Sequence, residues 1–197
     1  MMKYSVFQLI GLGINVIRTK FVFQKARIIR FPADIRGRSY IDVGKGFTTG
    51  VGCRLEAYPV DAKSKTLFIG ENVQINDYVH ITAMENVSIG DNVLIASRVY
   101  ISDNSHGCYS GEGEHSSPEV PPQERAYHIK RVRIDDNVWL GEMVSVLPGV
   151  TIGTGTIVGA NSVVSKDLPS NVIAVGAPAI PIKAFNKVTM KWEKIKN

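Results

Sequence analysis

The chain has 197 residues, of which 44% are hydrophobic and 21% charged, and its formal net charge is +5. That length suits one domain with a core that needs no covalent staples, and the composition excludes a disordered polymer or a coiled coil. Two cysteines make no disulfide scaffold and imply a reducing, cytoplasmic setting, while no apolar run reaches the roughly 18 residues of a membrane span.

Residues 1–40 hold eight Lys and Arg against one acid, Asp34, so the charge excess sits in an N-terminal arm. Val6, Ile10, Ile14, Ile17 and Phe21 recur at helical spacing and predict a helical segment, weakened by Gly11 and Gly13, that caps the fold. A basic arm can meet nucleic acid, an anionic membrane face or an anionic substrate, or form a solvated surface. Zinc-finger spacing and an aromatic RNA-binding signature are both missing, so no nucleic acid partner is expected. A peripheral contact with the inner membrane face is compatible with the arm.

The next signal is a period of six. Residues 41–60 carry it in degraded form, with Gly44, Gly46, Gly50 and Gly52. It is then strict in Ile69, Ile75, Ile81, again in Ile89, Ile95, Ile101, and again in Ile134, Leu140, Val146, Ile152, Val158, Val164. The fifth position of each hexad is mostly Val, Ser or Thr, and the second is often Gly, as in Gly70, Gly90 and Gly141. A period of six is neither 3.6 nor 2, and it fits a short strand followed by a corner. Three such faces make a coil of roughly 18 residues, and stacked coils form a triangular parallel β-prism. The glycines are expected to serve corners of unusual backbone conformation. An ordinary β-sandwich has no reason to hold such a phase.

The repeat breaks at about 102–133, where Pro118, Pro121, Pro122 and three of the four histidines lie, and a loop of this length inside a compact domain is usually functional. After Pro181, the residues Ile182, Phe185, Val188, Trp192 and Ile195 predict a C-terminal helix. The expected organisation is an arm or cap at 1–40, a β-helical domain at 41–180 with its projecting loop, and a helix at 181–197.

Four stretches carry a resemblance: IGDNVLIASRVYISD at 89–103, the loop residues His106–Gly107, RIDDNVWLGEMVSVLPGVTIG at 133–153 and VGANSVVSKDLPSNVIAVGAPA at 158–179. They resemble the hexapeptide-repeat acyltransferases, in the maltose, galactoside and nodulation acetyltransferase branch. With FPADIRGRSYIDVGKGFTTGVG and VQINDYVHI, the pattern is further similar to lipopolysaccharide O-antigen O-acetyltransferases. The resemblance implies an all-β, left-handed parallel β-helix that forms homotrimers. It also implies acetyl transfer from acetyl-CoA to a hydroxyl of a surface polysaccharide or its precursor, with no metal.

The site residues follow from the same resemblance. By position, His106 is the general base, and imidazole, with an unperturbed pKa of about 6.5, suits that role near neutral pH. Asn104 stands where relatives often carry a second histidine. Trp139 lines the pantetheine channel, and the turn containing Gly141 supplies backbone amides for the thioester oxygen. The coenzyme groove runs along Gly159, Ala160, Ser165 and Lys166 and ends near Pro178 and Lys183, whose cations can meet phosphate. Asn76, Asp77 and His80 are acceptor-binding candidates. Because His106 ends the hexad before the loop and Trp139 ends the first hexad after it, the two are expected to flank one corner. His115, His128 and Arg125 lie in the loop, and Arg125 either anchors it or meets an anionic acceptor.

Two other readings stand beside this one. A β-helical carbonic anhydrase needs three zinc histidines and usually a His-x4-His pair, whereas His106 and His115 are nine residues apart. A non-catalytic β-helix could serve as an assembly module.

Overall fold

The computed structural model describes residues 5–109 and 115–195. Its body is a stack of parallel coils with three faces. The first face comprises Asp34–Arg36, Arg54–Ala57, His80–Ala83, Tyr100–Ser102, Ser145–Val146 and Val163–Val164. The second comprises Ile41–Val43, Leu67–Ile69, Val87–Ile89, Val132–Ile134 and Thr151–Ile152, and the third starts at Thr48–Thr49 and ends with Lys191–Lys194. Every pairing within the stacked coils is parallel. One full coil, from Trp139 to its register partner Ile157, takes roughly 18 residues.

The hexad's first position is the core. On the first face Leu55, Ile81, Ile101, Val146 and Val164 lie in register one above the other. Ile69, Ile89, Ile134 and Ile152 do so on the second face, and Ile75, Ile95, Leu140 and Val158 on the third. All are buried. Each burial contributes about 1.5–3 kcal/mol, and the column is shared between coils about 4.8 Å apart. The fourth position turns the corner: Asn72, Tyr78, Asn92, Arg98, Asn137, Met143 and Asn161 all have φ between 55° and 59°. Asparagine recurs there because its short polar side chain tolerates the left-handed region.

The second-position glycines therefore serve a different purpose from the one expected. A Cβ on Gly141 would meet the Ala160 nitrogen at 2.6 Å, and one on Gly90 the Asp136 nitrogen at 2.8 Å. They are small because the next coil's backbone passes over them.

Both long insertions leave from the same edge, between the first and second faces. Residues 58–66 join Arg54–Ala57 to Leu67–Ile69, and residues 103–131 join Tyr100–Ser102 to Val132–Ile134. Asp103, fully buried, staples the second insertion to the coil below. Its carboxylate accepts the backbone N–H groups of Met84, Glu85 and Asn86 at 2.8–3.0 Å. Its own carbonyl accepts Lys130 N–H at 2.8 Å. Above this staple, Asn104–His106 and Tyr127–Ile129 form an antiparallel pair.

The two ends differ from expectation in opposite ways. A helix, α1, spans Val6–Val22 and starts on a capping box between Ser5 and Gln8. It does not cap the prism with its apolar stripe: of its residues only Thr19 is buried, while Val6, Ile10, Ile14, Ile17 and Phe21 are exposed. No helix among the described residues is long and apolar enough to cross a membrane.

At the other end, the expected helix over 181–197 is a hairpin of Ile180–Asn186 with Lys191–Lys194. The open edge at Val172–Val175 decides this, since Ile180–Asn186 pairs with it antiparallel and satisfies its backbone. Phe185 and Trp192 become cross-strand partners with centroids 5.3 Å apart. The Asn186 side chain closes the turn by accepting the N–H groups of Val188 and Thr189. The helical spacing of those aromatics is coincidental with their opposition across two strands.

Replacing Asp103 by Ala strands three backbone donors, so Asp103→Ala should destabilise the chain by roughly 2–4 kcal/mol. Urea unfolding showing a loss below about 1 kcal/mol would contradict the staple.

Candidate active site

Two separate clefts carry the candidate residues. The first is a groove of about 510 Å³ on the third face, lined by Leu94, Trp139 and Ile157 and floored by Ala96, Gly141, Gly159 and Ala160. Register builds it: Leu94, Trp139 and Ile157 are stacked partners in successive coils, facing out while their neighbours fill the core. Small residues beyond each strand keep the floor low, and Trp139 is about half exposed. The N–H groups of Trp139, Gly141 and Met143 donate to carbonyls of Thr156, Val158 and Ser97. A mainly apolar trough whose strand amides are committed to other coils suits a long flexible chain.

The second cleft, also of about 510 Å³, lies against the first face and the loop. His106, Asn104 and Tyr127 line it from the loop, and Arg36, Arg54, Glu56 and Tyr58 from the first coils. The His106 ring is exposed and packs against Tyr127, with centroids 4.7 Å apart. Tyr109 donates its hydroxyl to the His106 carbonyl at 2.7 Å, and Arg125 donates to that hydroxyl at 2.6 Å. Arg125 also donates to the carbonyls of Val120 and Pro118, so it is the loop's anchor.

Opposite His106 lies a charged network built by register, since Arg36 pairs with Glu56 and Arg54 with His80. Glu56 is nearly buried and accepts from Arg54 at 2.7 Å, Tyr58 at 3.0 Å and Arg36 at 3.1 Å. His80 Nε2 lies 2.8 Å from its other oxygen. Burial raises the carboxyl's pKa, but the hydrogen bonds from His80, Arg54 and Tyr58 and the charge of Arg54 outweigh it and hold it below the usual carboxylate value.

The sequence-derived set is thus divided. Trp139, Gly141, Gly159, Ala160 and Asn76 line the groove. Ser165 and Lys166 are exposed beyond Val163–Val164, Pro178 is exposed, and Lys183 is half-buried on the hairpin opposite Ile173, so these four lie outside the groove. Asp77 caps the Val51 N–H at 2.8 Å, and His80 belongs to the Glu56 network. His115 and His128 line a depression within the loop. Among the described residues, no group of three His, Cys, Asp or Glu is placed to hold a metal ion.

His106 and Trp139 do not flank one corner of a single chain. The hexad Ile134–Trp139 carries the chain across one whole face after the loop, so Trp139 opens the third face while His106 stays at the edge between the first and second. Arg36, Arg54, Glu56, Tyr58 and Tyr127 were not legible as site residues. The insertion at 58–66 hides the offset that stacks Arg54 on His80.

The chain is similar to known proteins over nearly its full length. It is 45% identical to an Escherichia coli K12 protein named as a lipopolysaccharide biosynthesis O-acetyl transferase, over 98% of this chain and 96% of that one. It is 32% identical to the galactoside O-acetyltransferase of the same organism, over 79% and 72%. The N-acyltransferase AntD of Bacillus cereus, solved with dTDP-4-amino-4,6-dideoxyglucose and coenzyme A, superposes with a TM-score of 0.69 at 26% identity, over 94% and 92%. Residues 131–166 match the model described as "Bacterial transferase hexapeptide (six repeats)". Stacked coils, a trough shaped for a long chain and a loop histidine facing a polar cleft agree with these matches, and the chain belongs to the hexapeptide-repeat acyltransferase family.

Proposed function

We propose that this chain is an acetyl-CoA-dependent O-acetyltransferase acting on a saccharide hydroxyl of a surface polysaccharide or its precursor. The observation that carries it is the pairing of an apolar trough around Trp139 with an exposed histidine facing a polar cleft. The left-handed sense of the coil, a cytoplasmic setting where acetyl-CoA is made, and the division into arm, prism and C-terminal hairpin belong to the same reading.

His106 accepts the proton of the hydroxyl as its oxygen attacks the thioester carbonyl carbon. The C–O bond forms, the C–S bond breaks, and the imidazolium returns the proton to the departing thiolate. The donor we assign to the carbonyl oxygen is the Glu142 N–H, because those of Trp139, Gly141 and Met143 are already committed to neighbouring coils. Trp139 and Ala160 hold the pantetheine arm, and Lys166 and Lys183 meet phosphate beyond the trough. Glu56 holds Arg36, Arg54, Tyr58 and His80 in place as the acceptor's polar wall.

The separation of His106 from the trough supports a homotrimer, in which one protomer's loop meets its neighbour's third face. Neither face alone holds both reacting groups.

His106→Ala should lower kcat by about 10² to 10⁴ with little change in coenzyme A affinity. Ala160→Trp, which fills the trough, should abolish coenzyme A binding. Co-expression of the two inactive variants should recover about a quarter of wild-type activity if each site joins two protomers, and no recovery would place both halves in one chain. Glu56 gives a pH test. Its lowered pKa stabilises the fold fully above about 4.5, the ordinary carboxyl value, and that stability is lost as pH falls through the lowered pKa. Glu56→Gln should therefore flatten the acid limb of the stability profile and raise acceptor KM. An unchanged acid limb would remove Glu56 from the network's electrostatics.

A further inference from the structure

Helix α1 is attached by its polar side. Asn15 Oδ1 accepts the Phe31 N–H at 3.4 Å, and Thr19 Oγ1 accepts the Ile29 N–H at 2.8 Å while donating to the Asn15 carbonyl. Leu12 and Val22 flank these residues and are half-buried. At 100° per residue, Leu12, Asn15, Thr19 and Val22 occupy one narrow arc. The opposite half of the helix carries Val6, Phe7, Ile10, Ile14, Ile17 and Phe21, all exposed, with Phe7 at 86% and Phe21 at 77%. This is the reverse of an ordinary surface helix, which turns its apolar side inward.

The charges of the helix and of the segment that follows it have one sign. No acidic residue occurs before Asp34, whereas Arg18, Lys20, Lys25, Arg27 and Arg30 lie within or just after the helix. Arg18 sits at the border of the apolar half, its guanidinium 3.9 Å from the Phe31 ring centroid. Beside the helix's C-terminal end, Lys25, Arg38 and Asp42 line a depression of about 520 Å³, and the Asp42 carboxylate is paired with Lys65 at 3.1 Å. An apolar face on a helix that carries cations and no acids matches the boundary of an anionic bilayer, where acyl chains lie beneath a layer of phosphate. A second copy of this chain would bring the same cations to the same place, with no acids in the helix to oppose them.

We infer that α1 is an interfacial anchor, lying in the surface plane of an anionic membrane with its exposed apolar half among the acyl chains and its neighbouring cations at the phosphates. This inference does not depend on acetyl transfer. It has a consequence for it, because the chain runs from α1 into Asp34–Arg36, and Arg36 lines the His106 cleft. An anchored helix holds that cleft near the bilayer, where a lipid-linked saccharide would present its sugar.

The test is flotation of the full chain with phosphatidylglycerol-containing vesicles and with pure phosphatidylcholine vesicles, at low and high salt. Wild type should float with the anionic vesicles, more weakly as salt rises. The exposed triple variant Ile10→Ser/Ile14→Ser/Ile17→Ser should lose at least about tenfold in vesicle affinity while keeping its oligomeric state and coenzyme A binding. Absence of flotation by wild type overturns the anchor, as does flotation by the triple variant at wild-type strength. Dissociation of the oligomer by the triple variant without lipid also overturns it, because a second copy then covers the face.

Discussion

The structure depends on one constraint: each face of each coil must place one aliphatic side chain directly above its counterpart in the coil below. Parallel pairing about 4.8 Å apart leaves space for that side chain and little else, so Ile, Leu and Val fill the columns and Ala fills few of them. The corners, the close glycines and the outward residues are consequences of that stacking. A residue in the left-handed region, most often Asn or Gly but also Tyr78, Arg98 and Met143, turns the corner because the chain must swing onto the next face within a few residues to keep the column in phase. Leu94, Trp139 and Ile157 form a continuous trough because whatever faces outward is repeated in register too. Functional surface in this fold is ordered by the same rule as the core.

This explains which parts were legible in the sequence. Ile134 to Val164 keep an unbroken phase, so the prism and its three faces could be read from spacing alone. The role of the glycines could not, since a close backbone approach and a left-handed corner both call for Gly, and only the geometry at Gly90 and Gly141 separates them. The C-terminal aromatics show how spacing misleads near an end. Phe185 and Trp192 are seven apart, which suits two turns of a helix or opposition across a hairpin, and the unpaired edge at Val172–Val175 selects the hairpin. For the site, His106 and the trough residues lie within the regular blocks. The Arg36–Arg54–Glu56 wall lies where an insertion obscures the register, and its members become neighbours only when coils are stacked.

The polar wall and the trough are built differently. The trough is mainly apolar with a backbone committed to the prism, so what it can offer a ligand is length and shape. The wall concentrates two arginines, a tyrosine and a histidine on one nearly buried carboxylate, so its groups are fixed before any ligand arrives. Such pre-positioning limits the reorganisation on binding, and it makes Glu56 the residue through which the others act.

Both insertions leave the prism at a single edge, and that has an evolutionary consequence. Elsewhere the chain can lengthen or shorten only by a whole coil, because any other change would throw every later column out of phase. At this edge the insertions spanning 58–66 and 103–131 differ several-fold in length and neither disturbs the stack. Tyr58, Met84, Asn104 and His106 all lie at or beside it. Descendants of this scaffold are therefore free to diversify the surface at this edge, while the regular faces stay under strict geometric inheritance.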